Sequence, residues 1–200
     1  MKFEISSKSF AGKQVLGPIS FEPALGHITA LIGASGIGKT TLLRILARLD
    51  RDDTGTLQPE YKIGFVFQEP RLLPWKTVRE NIDMAGAEGA LLTDLNLADT
   101  ENLYPRQLSL GMARRVAIAR ALAYRPQFLI LDEPFASLDV STAAIVRNIV
   151  KAAAANPEMA TLLVTHDQQE AAELASQVFV LEGRPSVSYT HLTLPTIYSV

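Results

Sequence analysis

Cysteine is absent from the 200 residues of the chain, which removes disulfide scaffolds and thiolate metal sites and fits a reducing cytoplasm. Long hydrophobic runs are missing too. No stretch reaches the roughly 18 successive apolar residues of a membrane-spanning helix, and Met1-Lys2-Phe3-Glu4-Ile5 lacks the basic region and apolar run of an export signal. The expectation is a chain that neither crosses a membrane nor is exported. Charge of one sign is not in excess, since the formal net charge is -2. Without a global basic field, counterion release offers little non-specific affinity for nucleic acid, so no nucleic-acid partner is expected. Histidine is sparse, limited to His27, His166 and His191. What is present, 48% hydrophobic and 20% charged residues, is the composition of one globular domain large enough to bury a core.

Short apolar and β-branched runs at 2–5, 19–21, 28–32, 63–67, 128–131, 162–164 and 178–181 read as strands, and helical apolar spacing recurs at 39–49, 109–123, 141–154 and 168–175. Their alternation predicts an α/β fold with a mostly parallel sheet. A short connection around Ala11-Gly12-Lys13 joins the first two of these strands and predicts an antiparallel β flank. Beyond Arg71 the sequence is rich in Pro, Ala and Gly and has no clear strand as far as Arg106, which reads as the start of a small helical insertion covering about 71–125. The domain is expected to occupy 1–185. Residues 186–200 carry no helical or strand period that continues it, and 187–196 match the in-frame translation of a common transposon-based sequencing adapter. That segment is therefore expected to be non-native, with no chemistry assigned to His191.

Gly33-Ala34-Ser35-Gly36-Ile37-Gly38-Lys39-Thr40 fits G-x-x-x-x-G-K-[ST] and lies between an apolar strand and an amphipathic helix, where a phosphate-binding loop belongs. Its glycines let the backbone curl so that successive N–H groups face phosphates, and the helix N-terminus adds partial positive charge. Lys39 is placed to reach the β and γ phosphates and Thr40 to offer a hydroxyl to magnesium, with Thr41 completing the nucleotide-binding residues of the turn. ATP and Mg2+ are thus the expected ligands. Phe128-Leu129-Ile130-Leu131-Asp132-Glu133 is an apolar run ending in two carboxylates, as when a buried strand delivers acids to the carboxyl edge of a parallel sheet. Asp132 would hold magnesium, and Glu133 is placed to polarise the attacking water as a general base.

Between these motifs, Leu108-Ser109-Leu110-Gly111-Met112-Ala113-Arg114-Arg115-Val116-Ala117-Ile118-Ala119-Arg120-Ala121-Leu122 resembles the signature segment of the ABC ATPases. Gln68 after an apolar strand, Ser137-Leu138-Asp139 after the acidic pair and His166 after Leu162-Leu163-Val164-Thr165 follow in the family's order. The resemblance runs from about Phe10 to Pro185 and implies a P-loop NTPase core. It also implies a head-to-tail homodimer in which two ATP molecules lie between the loop of one subunit and the signature of the other. In that arrangement Phe10 would stack on adenine, and Gln68 would touch magnesium or the water. His166 would contact the γ-phosphate, and Asp139 would act across the dimer. Ser109, as a helix N-cap, would give the trans phosphate contact together with Gly111. Arg114, Arg115 and Arg120 are read as a solvated or salt-bridged face without a site role.

One departure is Leu110, where the family commonly has glycine, with Met112 in place of the usual glutamine. Hydrolysis is still expected. Glu69-Pro70-Arg71-Leu72-Leu73-Pro74-Trp75, with Thr77-Val78 and Glu80-Asn81-Ile82, resembles the importer branch for nitrate, sulfonates, taurine and related compounds. The resemblance implies an ATP-hydrolysing subunit on the cytoplasmic face of the inner membrane. It would be peripheral, docked on permease subunits by this segment and served by a substrate-binding protein. The alternative from another class is a soluble ABC ATPase, or a nucleotide-dependent regulator, not coupled to transport.

Overall fold

A computed structural model of the chain describes residues 1–54, 60–86, 95, 97–183 and 186–191. The domain boundary read at Pro185, residues 87–94 and 96 of the insertion, and 192–200 lie outside these described residues.

Among the described residues the central sheet has six strands, in the order β10 (Val187–His191), β9 (Gln177–Glu182), β5 (Ile28–Gly33), β8 (Ala160–Val164), β7 (Phe128–Asp132) and β6 (Ile63–Val66). Strands β5, β6, β7, β8 and β9 run parallel. The middle strands are buried on both faces, so they read as continuous apolar runs and not as alternation. Their side chains divide by pleat: Phe128 and Ile130 face a core with Phe3, Leu42 and Leu46, whereas Leu129 and Leu131 face one with Ile118, Val146 and Val150. Helix α1 (Lys39–Leu46) lies on the first face. On the second lie α3 (Leu110–Ala123), α4 (Val140–Ala154) and α5 (Gln168–Leu174).

The predicted antiparallel flank is present, with a different connection. Strand β1 (Phe3–Ile5) pairs with β4 (Ile19–Phe21), but Ala11-Gly12 joins two strands absent from the sequence reading, β2 (Lys8–Phe10) and β3 (Lys13–Leu16). Ala11 and Gly12 have φ of 49° and 75°, the positive pair that tight two-residue hairpins use. The hairpin is largely solvated and its residues mostly polar, so it shows no apolar alternation.

The insertion contains α2 (Val78–Asp83), opened by a capping box in which the Thr77 hydroxyl accepts from the Glu80 N–H. Val78, Ile82, Leu97, Val116 and Ala119 form a third core that fastens α2 to α3. Residues 186–191, which carry no strand period in the sequence, nevertheless lie on the sheet. Strand β10 (Val187–His191) pairs antiparallel with β9, and buried Ser186 exchanges main-chain bonds with Val15 and Gly17 at 3.1 and 2.7 Å. Strand β9 would otherwise be a sheet edge, and an edge recruits a neighbour through backbone groups without needing an apolar period.

Candidate active site

The strand order sets the site. At the carboxyl edge, β5 runs into the phosphate-binding loop, β8 into Thr165-His166, β7 into Asp132-Glu133 and β6 towards Gln68. These strands are consecutive in the sheet, so four distant sequence segments meet on one rim. A cleft of about 610 Å³ opens there, lined by Ser35, Gly36, Gly38, Lys39, Thr40 and Thr41 on one side and by Gln68, Asp132, Glu133 and His166 on the other. Gly33, Ala34 and Ile37 line the neighbouring hollow, again with His166.

The loop is glycine-bound at two points by geometry. A Cβ on Gly33 would lie 2.8 Å from the Leu181 carbonyl oxygen, and one on Gly38 would lie 2.7 Å from Leu16 Cδ2. Gly38 also has φ of 110° and opens α1, whose free N–H groups therefore face the cleft. Lys39 Nζ donates to the carbonyls of Gly33 and Ala34 at 2.7 and 3.0 Å, which holds the ammonium over the loop. A cradle of N–H groups with one cation suits phosphate oxygens.

On the acidic side, burial raises the pKa of the Asp132 carboxyl, helped by Glu133 and opposed by Lys39 and Arg71. A divalent cation held by Asp132 and the Thr40 hydroxyl would relieve the cost of burying that charge. Glu133 adopts φ of 46° and is only one-fifth exposed. Gln68 Nε2 donates to its Oε2 at 3.1 Å, and His166 Nδ1 lies 3.1 Å from its Oε1. With the carboxylate ionised, Nδ1–H is the donor. His166 itself is 69% exposed, free to meet a ligand in the cleft.

The other expected residues fall elsewhere. Phe10, half exposed beside the hairpin turn, does not line the cleft, whereas Val15 on the returning strand does. The hairpin is tied to the loop after α1 by Asp53, which accepts from the Ser9 N–H and from the Ser7 and Ser9 hydroxyls at 2.8–2.9 Å. Ser109 and Asp139 cap α3 and α4, accepting from Met112 N and Thr142 N, and so lie on two neighbouring helix ends. A Cβ on Gly111 would stand 2.4 Å from Thr142 Cγ2, which explains glycine there. This pair of N-termini is outside the cleft, and exposed Leu110 and Val140 flank it. Sequence reasoning overlooked Arg114 and Arg120. Arg114 is 5% exposed and donates to the Pro134 carbonyl, and Arg120 donates to those of Pro70 and Arg71, so neither belongs to a solvated face.

A family profile described as ABC transporter matches residues 16–136. The chain belongs to the ABC transporter family. Among curated proteins, it is similar to the aliphatic sulfonates import ATP-binding protein SsuB 1 of Pseudomonas aeruginosa (strain UCBPP-PA14). The two are 42% identical over 199 residues, covering 89% of this chain and 80% of that protein. SsuB of Corynebacterium glutamicum is 41% identical over 187 residues, covering 88% of this chain and 77% of that protein. Among solved structures, the ATP-binding cassette MJ0796, a dimer in a post-hydrolysis state bound to ADP and Pi, matches with a TM-score of 0.77 and 26% identity. It covers 95% of this chain and 98% of that one. The ABC ATPase fold read from the sequence is thus the fold observed, and the chain is an ATP-hydrolysing subunit of a small-solute importer. Among the described residues no helix is long and apolar enough to cross a membrane.

Proposed function

We propose that the chain powers import of a small sulfonated solute by hydrolysing magnesium-bound ATP at this cleft. The observation that carries the chemistry is the Glu133 carboxylate held between Gln68 and His166, beside Lys39 and Asp132, at the mouth of the phosphate-binding loop. Backbone N–H groups of 33–38 and the Lys39 ammonium bind the β and γ phosphates, while Thr40, Thr41 and the loop side of the cleft orient them. Thr40, Asp132 and Gln68 would hold the magnesium ion, which neutralises charge on the phosphates. Glu133 accepts a proton from water as the water oxygen bonds to the γ-phosphorus and the bond to ADP breaks. His166 contacts the γ-phosphate and steers Glu133.

Two copies pair head to tail, so that Ser109 and Gly111 of one face the γ-phosphate of the other and Asp139 acts across the interface. Phe10 or its hairpin neighbour Val15 covers the adenine. The pair docks on permease subunits at the cytoplasmic face of the inner membrane, through the segment around Trp75, which is 70% exposed. The substrate class rests on the relatives, which are named for aliphatic sulfonate import. The test is reconstitution with the cognate permease and binding protein in liposomes. Stimulation of ATP hydrolysis by an alkanesulfonate, and none by sulfate, is expected; equal stimulation by both overturns the assignment.

A further inference from the structure

Gln68 and Glu133 meet at 3.1 Å, yet each stands on irregular chain just beyond a strand end. One helix grips both stretches from behind. On α3, Arg114 Nη1 donates to the Pro134 carbonyl at 3.0 Å, one residue past Glu133. Arg120 Nη1 donates to the Arg71 carbonyl at 3.0 Å and its Nη2 to the Pro70 carbonyl at 3.1 Å, three and two residues past Gln68 respectively. Neither guanidinium forms a salt bridge among the described residues, and burial lowers both pKa values, opposed at Arg114 by the Glu133 carboxylate. A half-buried cation such as Arg120, bonded to main-chain carbonyls, is costly where packing alone is needed, since an apolar side chain would fill the space without desolvating a charge. What the planar fork supplies is a fixed spacing of two donors, here matched to two successive carbonyls.

The gripped peptide is also an unusual one. Arg71 has φ of 45°, left-handed for a non-glycine residue, and its guanidinium stacks 4.1 Å over the Phe67 ring, on the residue before Gln68. The bend that carries Gln68 against Glu133 is therefore held from two sides. The other end of α3 is capped by Ser109, on the face proposed to meet the partner's nucleotide.

We propose that Arg120 is a positioning residue that fastens the Pro70-Arg71 peptide to the signature helix, fixing Gln68 against Glu133 so that displacement of α3 reaches the hydrolytic pair. This rests on the reading of Gln68 and Glu133 as the groups that act on water. A merely structural arginine would change stability and leave the chemical step intact.

The test compares Arg120→Met and Arg120→Lys in the full chain by steady-state hydrolysis, and by acrylamide quenching of Trp75, the single tryptophan, which follows the gripped Pro70-Arg71 peptide. With Met, kcat is expected to fall about ten- to a hundredfold, as for a small misplacement of a reacting group, while KM for ATP stays within about twofold. Lys, which offers donors but no fork, recovers part of kcat. Trp75 quenching rises in the order wild type, Lys, Met. In a Gln68→Ala background the Met substitution adds less than about twofold, because the two act as one unit. Wild-type kcat in either variant, or the same fractional loss with Gln68 already removed, overturns the proposal. If Met at 120 prevents folding, the Lys variant carries the same comparisons. A Glu133→Gln chain that still turns over would sink the underlying reading of the pair instead, whatever Arg120 does.

Discussion

Glu133 has φ of 46° and Ser137 φ of 59°, two left-handed non-glycine residues in the short loop that follows β7. Each such residue costs on the order of 1–3 kcal/mol and persists only where surrounding contacts overdetermine it. At Glu133 those contacts are visible: its N–H donates to the Val164 carbonyl at 2.9 Å, and its carboxylate takes Gln68 and His166. The glycines of the phosphate-binding loop can be ranked by the same reasoning. An alanine Cβ at 33 would press on a main-chain oxygen that cannot rotate away, whereas at 36 it would meet open space and pay only for φ of 72°. Gly33→Ala should cost about 2 kcal/mol or more and Gly36→Ala about 1 kcal/mol, read from urea melts. Equal losses would contradict the ranking.

Among the elements, α2 and α4 depend visibly on their caps. Thr77→Ala removes the acceptor of the α2 capping box and should lower stability by about 1 kcal/mol, with a lower melting temperature but intact nucleotide binding. At α4 the Ser141 hydroxyl and the Thr142 N–H hold the Asp139 carboxyl well below its ordinary value of 3.8. A depressed carboxylate stabilises the fold above its ordinary pKa, and that contribution drains away as pH falls towards the folded value. Asp139→Asn keeps the capping acceptor and loses the charge. Its melting temperature should therefore fall less steeply below about pH 4 than that of the parent, and an unchanged acid slope would contradict the assignment.

The elements also show what a sequence can and cannot disclose. The phosphate-binding loop, the acidic pair and the helix after each were legible because their chemistry is local and their strands are buried on both faces. The β2-β3 hairpin was not, since polar solvated strands carry no alternation. The two arginines of α3 were misread for a related reason: among alanines they look like a solvated stripe. Only the tertiary positions of Pro70, Arg71 and Pro134 turn them inward.

At the scale of the whole molecule the cleft is one half of the proposed machine. The residues on the α3 and α4 N-termini lie outside it, and in the proposed head-to-tail pair they serve the nucleotide of a second copy. Light scattering should show the Glu133→Gln chain as a dimer with ATP and a monomer with ADP. A chain that stays monomeric with ATP would break the head-to-tail reading. The proposed hydrolysis turns on Glu133, and phosphate release by the purified chain with magnesium and ATP tests it most directly. Replacing Glu133 by Gln should reduce turnover by about a hundredfold or more while ATP binding persists. Turnover by the Gln variant equal to that of the parent, or a parent with no magnesium-dependent turnover, would contradict it.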